Sequence, residues 1–234
     1  MTQGRFDRVQ VVVPARDEED HLGGCLDSVL TAAHVVRRER GCEVGVTVVL
    51  DACVDDSAAV ALRRPGVEVL PSTAGVVGAA RRLGVAHALG RAFRPTRTWI
   101  ACTDADTLVP PDWLSGQLEL ADDGYDLVVG TVAPDPQDLA PGALRAWWDE
   151  HRLGEGHEHV HGANLGFALA AYESAGGFAP LATGEDVDLV LRLRASGVLW
   201  RATDRTRVLT SGRRRGRVED GFAGFLRELE REAG

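Results

Sequence analysis

Two aspartates follow a strand-like run in "TWIACTDADTLVPPDW", residues 98–113. The apolar residues Trp99, Ile100, Ala101 and Cys102 read as a buried strand, and Asp104 and Asp106 come directly after it. Carboxylates this close repel each other, and burying either one unpaired is costly. Residues i and i+2 of a strand share a face, so both can aim at one site just past its end. Three uses fit that pattern: a hard divalent cation held by oxygen ligands, a phosphatase nucleophile with its acid partner, or a solvated turn ahead of Pro110 and Pro111.

Other acids fall in comparable places. Asp17 and Glu18 follow the apolar run at 9–13, and Asp51 follows the one at 44–50. One or two such residues are ordinary turn formers or helix caps, and Asp17 suits a cap. Acids at all three strand ends argue for a shared polar site. Downstream, "GED" sets Glu185 and Asp186 before an amphipathic pattern of Val187, Leu189, Val190, Leu191 and Leu193. Acids at a helix N-terminus also serve the dipole and caps. His157, His159 and His161 alternate in "GEGHEHVHG" and would line one face of an extended segment, as a solvated loop or a zinc-binding set.

The elements that must position these groups alternate along the chain. Strand-like runs at 9–13, 44–50, 67–70, 99–102 and 127–132 are separated by helical patterns from Leu22, at 57–62, at 76–89 and after Pro111. In the first helix Cys25, Leu26, Val29, Leu30, Ala33 and Val36 recur at helical spacing despite Gly23 and Gly24. This β-α-β-α order predicts an α/β fold, a mostly parallel sheet with helices on both faces. Ligands of such sheets collect beyond the carboxyl ends of the strands, where these acids fall. From Pro134 the chain is less regular: a helix "PGALRAWWDEHRL", a strand-like "TRVLTS", the basic cluster Arg213, Arg214, Arg215 and Arg217, and a terminal helix. Of Trp147 and Trp148, one is expected in the core and the other at a cleft. There is no internal repeat and no linker, so residues 1–234 are expected to form a single domain.

Composition narrows the function. A net charge of -9 argues against nucleic acid as a partner, since phosphate backbones need a basic footprint. No apolar run approaches the roughly 20 residues of a transmembrane segment. The N-terminus lacks a signal-peptide pattern, so a cytoplasmic location is expected. Cys25, Cys42, Cys53 and Cys102 show no paired spacing and read as small buried side chains. All 26 basic residues are arginine, which excludes P-loop and Schiff-base chemistry.

Taken together, the segments resemble family 2 glycosyltransferases of the GT-A fold over about residues 9–212. "VVVPARDEEDHLGGCLDSV" is similar to that family's opening P-x-x-N-E-E segment, with Asp17 where asparagine is common. "VVLDACVDDS" resembles its base-reading segment, "GVVGAARRLGVAHA" the glycine- and arginine-bearing one, and "TDAD" its D-x-D motif. "GANLGFALAAYESAGGF" and "GEDVDL" resemble the acceptor-side segment and its Glu-Asp pair. The resemblance implies a nucleotide-sugar-binding half at about 9–132 and an acceptor-binding half at about 133–234. It implies a hexosyltransferase-type enzyme with two partners: a UDP- or GDP-linked sugar donor and an unidentified hydroxyl acceptor. Pro14, Ala15, Glu18 and Asp51 would hold the nucleotide, with Gly78 and Arg81 closing the pocket and Asp104 toward the ribose. Asp106 would bind Mn²⁺ or Mg²⁺. Asp186 would be the general base of an inverting transfer, while Glu185 and the backbone of Gly162, Ala163 and Asn164 orient the acceptor.

The chain departs from the family pattern in one respect: many relatives use a late histidine as a further metal ligand, and no histidine follows His161. Thr210, Ser211 or water would take its place. Other readings fit less well. A haloacid-dehalogenase-type phosphatase using Asp104 and Asp106 would need its motif on the first strand and a lysine partner. A sugar-nucleotide pyrophosphorylase needs a glycine-rich first loop with lysine, and a dinucleotide dehydrogenase needs Gly-x-Gly-x-x-Gly after the first strand. A catalytically degenerate nucleotide-sugar-binding protein would be expected to have lost Asp106 or Asp186.

Overall fold

The computed structural model describes residues 4–91, 95–151 and 153–212; the expected arginine cluster and terminal helix lie outside the described residues. The first half runs β1 (Arg8–Ala15), α1 (Leu22–Arg40), β2 (Glu43–Asp51), α2 (Ser57–Leu62), β3 (Val67–Ser72), α3 (Val77–Arg91) and β4 (Thr98–Cys102). Then come β5 (Thr107–Leu108), α4 (Trp113–Asp122), β6 (Leu127–Pro134) and α5 (Pro141–Glu150). The last elements are β7 (Leu165–Ala168), α6 (Leu169–Ser174), α7 (Glu185–Ala195) and β8 (Trp200–Thr210).

The eight strands among the described residues form one sheet in the order β3-β2-β1-β4-β7-β6-β8-β5. The block β3-β2-β1-β4 is wholly parallel, as the alternation predicts. Beyond it, β7 is antiparallel to both β4 and β6, β8 is parallel to β6, and the short β5 is antiparallel to β8. Short β7 carries no periodicity that marks it as a central strand.

Alternating side chains serve two cores. Val9, Val11 and Val13 of β1, with Trp99 and Ala101 of β4, pack into the layer formed with α1, α2 and α4. Val12, Ile100 and Cys102 face the opposite layer, with Val85 of α3, Tyr172 of α6 and Leu189, Val190 and Leu193 of α7. A strand flanked on both sides by helices must be apolar on both faces, which explains the unbroken runs in the sequence. Helix α1 buries Leu22, Cys25, Leu26, Val29, Ala32, Ala33 and Val36, and ends at Gly41, whose left-handed φ of 65° suits glycine. Trp147 is buried and Trp148 is partly exposed, the division expected of that pair. All four cysteines are free thiols.

Asn164 fastens the second half together. Its side chain is 1% exposed. The Trp113 indole N–H donates to its Oδ1 (2.9 Å), and its Nδ2 donates to the carbonyls of Thr131 (2.8 Å) and Thr206 (2.7 Å). Gly130 leaves room for this side chain, because any Cβ there would meet it. Asn164→Leu would strand one donor and two acceptors in the core. We expect it to lower unfolding free energy by roughly 2–4 kcal/mol, measured by denaturant titration followed by circular dichroism; a loss under about 1 kcal/mol would mean water replaces these bonds.

Candidate active site

The carboxyl ends of β1, β2 and β3 build one rim. Loops after β1 and β2 are laced by side-chain to backbone bonds. The Asp17 Oδ1 accepts from the Val54 N–H (2.7 Å), the Glu19 N–H donates to Asp55 Oδ2 (2.9 Å), and the Glu18 N–H donates to Ser57 Oγ (2.8 Å). Asp17 is therefore a loop clasp rather than a helix cap, and its φ of 48° lies in the left-handed region that Asp tolerates. Ala52, with φ of 55°, has no such excuse; strain of this kind gathers where backbone is forced into a working shape.

Asp51 is buried, with its Oδ1 accepting from the Ser72 hydroxyl (2.7 Å) and the Gly75 N–H (2.9 Å). Gly75 sits at φ of 66°, so the donor amide is presented by a turn that glycine makes without strain. Ser72 was not singled out from sequence; its position at the end of β3, beside Asp51 in register, is the available signal. Pro14 and the buried Ala15 end β1 on the same rim, and Glu18 is buried there with its Oε2 3.5 Å from the His21 ring.

Asp17, Cys53 and Asp55 also bring potential ligand atoms within 4.8 Å of one another. The same atoms serve the loop clasp, with Cys53 Sγ donating to the Ala15 carbonyl (3.3 Å), and burial holds the Cys53 thiol above its usual pKa. This group reads as loop structure.

Helix α3 faces this rim. Gly78 is required by the chain itself: a Cβ there would collide with the Ala179 carbonyl, and its N–H donates to the Leu181 carbonyl (3.1 Å). One turn later Arg81 reaches inward with only 3% of its surface exposed. Its Nη2 donates to Asp104 Oδ1 (2.5 Å) and its Nη1 to Glu185 Oε1. Burial opposes its charge, yet Asp104, with Asp186 nearby, holds the guanidinium pKa above its ordinary value.

Past β4, Asp104 and Asp106 diverge in their partners. Asp106 accepts at Oδ1 from the Thr210 hydroxyl (3.3 Å), and its carbonyl accepts from the Ser211 N–H (3.0 Å). Ser211 Oγ instead donates to Asp138 Oδ2 (2.9 Å). The Thr210 hydroxyl thus lies beside the Asp106 carboxylate at the end of β8. Beneath the motif, Cys25 Sγ donates to the Asp104 carbonyl (3.2 Å), its thiol pushed up by burial and by Asp106 and Asp104. The Asp106 carboxylate and Thr210 hydroxyl are all-oxygen donors of the kind that would suit a hard divalent cation.

On the other side, a 3₁₀ turn at Gly162–Asn164 meets the start of α7. The Gly162 N–H donates to Asp186 Oδ2 (2.6 Å), and the Val187 N–H to Asp186 Oδ1 (2.8 Å). Glu185, 3% exposed, is turned to Arg81 instead. Ala163 is buried beside them, and the Asn164 side chain serves the core as described. The alternating histidines do share one face: His157 to His159 and His159 to His161 stack with ring centroids 5.9 and 6.2 Å apart. His151 joins them at 5.8 Å from His159 and lies flat on Trp147 at 4.5 Å. His157 Nε2 lies 3.2 Å from the Val129 carbonyl, which anchors the column to β6. Face-stacked imidazoles do not converge on one point, so the column lacks the geometry of a zinc site.

Comparison with known proteins follows the same lines. The profile of the family described as Glycosyl transferase family 2 matches residues 10–171. An Undecaprenyl-phosphate 4-deoxy-4-formamido-L-arabinose transferase from Edwardsiella ictaluri (strain 93-146) is 33% identical over 134 residues, covering 56% of this chain and 38% of that protein. Among solved structures, S. aureus TarS 1-349 in complex with UDP-GlcNAc aligns with a TM-score of 0.69 at 13% identity, over 97% of this chain and 65% of that one. The mannosyltransferase PcManGT from Pyrobaculum calidifontis, in complex with GDP-Man and Mn²⁺, gives 0.63 at 21%, over 90% and 59%. These likenesses establish the GT-A fold.

The histidine column makes stability depend on pH. Burial pushes the His161 pKa down to about 4, against the pull of Asp186, with His159, His157 and His151 adding to the fall; burial and these neighbours lower His159 too, against Glu158. An unfolded imidazole titrates near 6.5, so between about pH 6.5 and 4 the unfolded chain binds the extra proton. The stabilisation is complete above pH 6.5 and is lost as pH falls through that window, by up to about 1.4 kcal/mol per pH unit for one proton. Denaturant midpoints between pH 7.5 and 4.5 should fall for the wild type and flatten for His161→Phe; parallel curves would assign the loss to other groups.

Proposed function

The chain belongs to glycosyl transferase family 2, and from that premise we propose that it transfers a sugar from a nucleoside-diphosphate sugar to a hydroxyl acceptor with inversion, assisted by a divalent metal, with Asp186 as general base. The observation that carries this reading is the contrast between the two acids that open α7. Glu185 is buried on Arg81, whereas among the described residues the Asp186 carboxylate takes its hydrogen bonds from backbone N–H groups. A carboxylate fixed by one amide on each oxygen keeps lone pairs for an incoming hydroxyl proton. An arginine-paired one does not have that freedom.

The donor side is read in the same way. Asp51 is oriented by Ser72 and Gly75, so its other oxygen is set to accept from a ring N–H, which uracil and guanine both offer. Pro14, Ala15 and Glu18 form the wall beside it, and Asp104, the more exposed partner of Arg81, faces the ribose. UDP-GlcNAc and GDP-Man in the two structural neighbours are the same class of donor, and Mn²⁺ accompanies one of them. Asp106, with Thr210, would hold the metal, which would supply positive charge against the departing diphosphate. Gly162 and Ala163 give the backbone floor of the acceptor side. The Edwardsiella relative's name includes undecaprenyl phosphate; here the acceptor is assigned only as a hydroxyl-bearing molecule. No helix among the described residues is long and apolar enough to cross a membrane.

A thermal-shift screen of UDP, GDP, CDP and dTDP sugars with Mn²⁺ tests the reading. One uridine or guanosine donor should stabilise the protein, by roughly 2.7 kcal/mol at 100-fold over its dissociation constant. Silence toward all of them would overturn the donor assignment. Asp106→Ala should abolish the Mn²⁺-dependent part of that shift, and an unchanged shift would sink the metal assignment. Asp186→Asn should keep donor binding and lose transfer by about 10²–10⁴-fold, measured as nucleoside diphosphate release with acceptor present; near-normal turnover would remove Asp186 from the role of base.

A further inference from the structure

We propose that Arg81 is a positioning residue that couples the donor site to the base-bearing helix α7; the inference rests on the glycosyltransferase reading above. Four separate pieces of chain meet on one guanidinium. Arg81 comes from α3, Asp104 from the end of β4, Glu185 from the first turn of α7, and Gly162 from the 3₁₀ turn. Both Arg81 and Glu185 are 3% exposed, so neither has surface to offer a substrate. Asp104 is different: its side chain is 37% exposed, so a bound nucleotide can reach it.

The contacts run in series. Asp104 engages Nη2 and Glu185 engages Nη1, so the two carboxylates are held by opposite arms of one planar fork. Gly162 lies against the same group, because a Cβ at 162 would collide with the Arg81 guanidinium. Its N–H in turn holds Asp186. The start of α7 has no side-chain cap of its own: Gly184 occupies the cap position at φ of 71° with no side chain to contribute. The orientation of Glu185 is therefore set from outside the helix by Arg81, and Asp186 is held from outside by the Gly162 N–H and from within the helix by the Val187 N–H. When the ribose draws on Asp104, the guanidinium transmits the change to Glu185 and the turn at Gly162, and both lead to Asp186. Lysine, a single point of charge, could not hold both carboxylates in one plane.

Hydrogen-deuterium exchange of the amides at 184–190, with and without Mn²⁺ and either UDP or GDP, whichever raises the melting temperature more, tests this coupling. In the wild-type chain the nucleotide should slow exchange there by roughly fivefold or more, the low end of typical site-to-site coupling. In Glu185→Gln, which keeps the shape and the Arg81–Asp104 contact, the nucleotide should still raise the melting temperature while the slowing drops below about twofold. Arg81→Lys should behave alike, and Glu185→Gln alone decides if that variant does not fold. Wild-type slowing that persists in Glu185→Gln overturns the proposal, as does its absence from the wild type. Loss of the melting shift in Glu185→Gln also overturns it, since these residues would then bind nucleotide directly. If neither nucleotide stabilises the wild-type protein, the glycosyltransferase reading fails before the coupling does.

Discussion

Like charges must be brought together for this site to exist, and one buried guanidinium makes that possible. Asp104 and Glu185 both lean on Arg81, with Asp186 close by. Removing charges from water costs several kcal/mol per ion, and their attraction offsets this only when the geometry is good. Arginine suits the task because its fork presents parallel donors in a plane and keeps its charge when buried. In a chain whose 26 basic residues are all arginine, the choice is consistent throughout. Stability alone does not explain such an arrangement, since apolar residues of the same volume pack as well. What the ion pairs add is a fixed relation between the strand end that carries the D-x-D motif and the helix that carries Asp186.

Much of this was legible in the sequence, and the legible part has a common cause. Parallel strands covered on both faces give unbroken apolar runs, and acids placed after them fall at one edge of the sheet; β1 to β4, Asp51, Asp104 and Asp106 are of this kind. Trp147 and Trp148 divided between core and surface because adjacent helical residues face different ways. The alternation of His157, His159 and His161 likewise passed directly into a column on one face.

The remainder depended on contacts that no local pattern encodes. The four-residue β7 enters the sheet between β4 and β6 in the opposite sense, a position fixed by pairing partners far away in the chain. Gly78 was expected beside the nucleotide pocket, and in the structure its Cα packs against the backbone of residues 179–181. Asp17 suggested a cap because Asp after a strand commonly is one, yet its partner is an amide in the next loop. The pairing of Arg81 with Glu185 joins residues in different halves of the chain, and either could have been an ordinary surface charge. Asn164 shows the same limit from the other side. Its backbone belongs to the turn beside Asp186, while its side chain turns away to bind three groups in the core.

The placement of β7 also bears on how the molecule is assembled. Strands β1 to β4 can pair with one another as soon as they exist, but β4, buried along its whole length, is left with an open side until β7 arrives. An apolar strand with unpaired backbone groups is a template for pairing with another chain. A ribosome-bound or truncated chain lacking β7 would carry that edge uncovered at the middle of the finished sheet. By pairing with β4, the short β7 turns that apolar strand from an edge into an interior one.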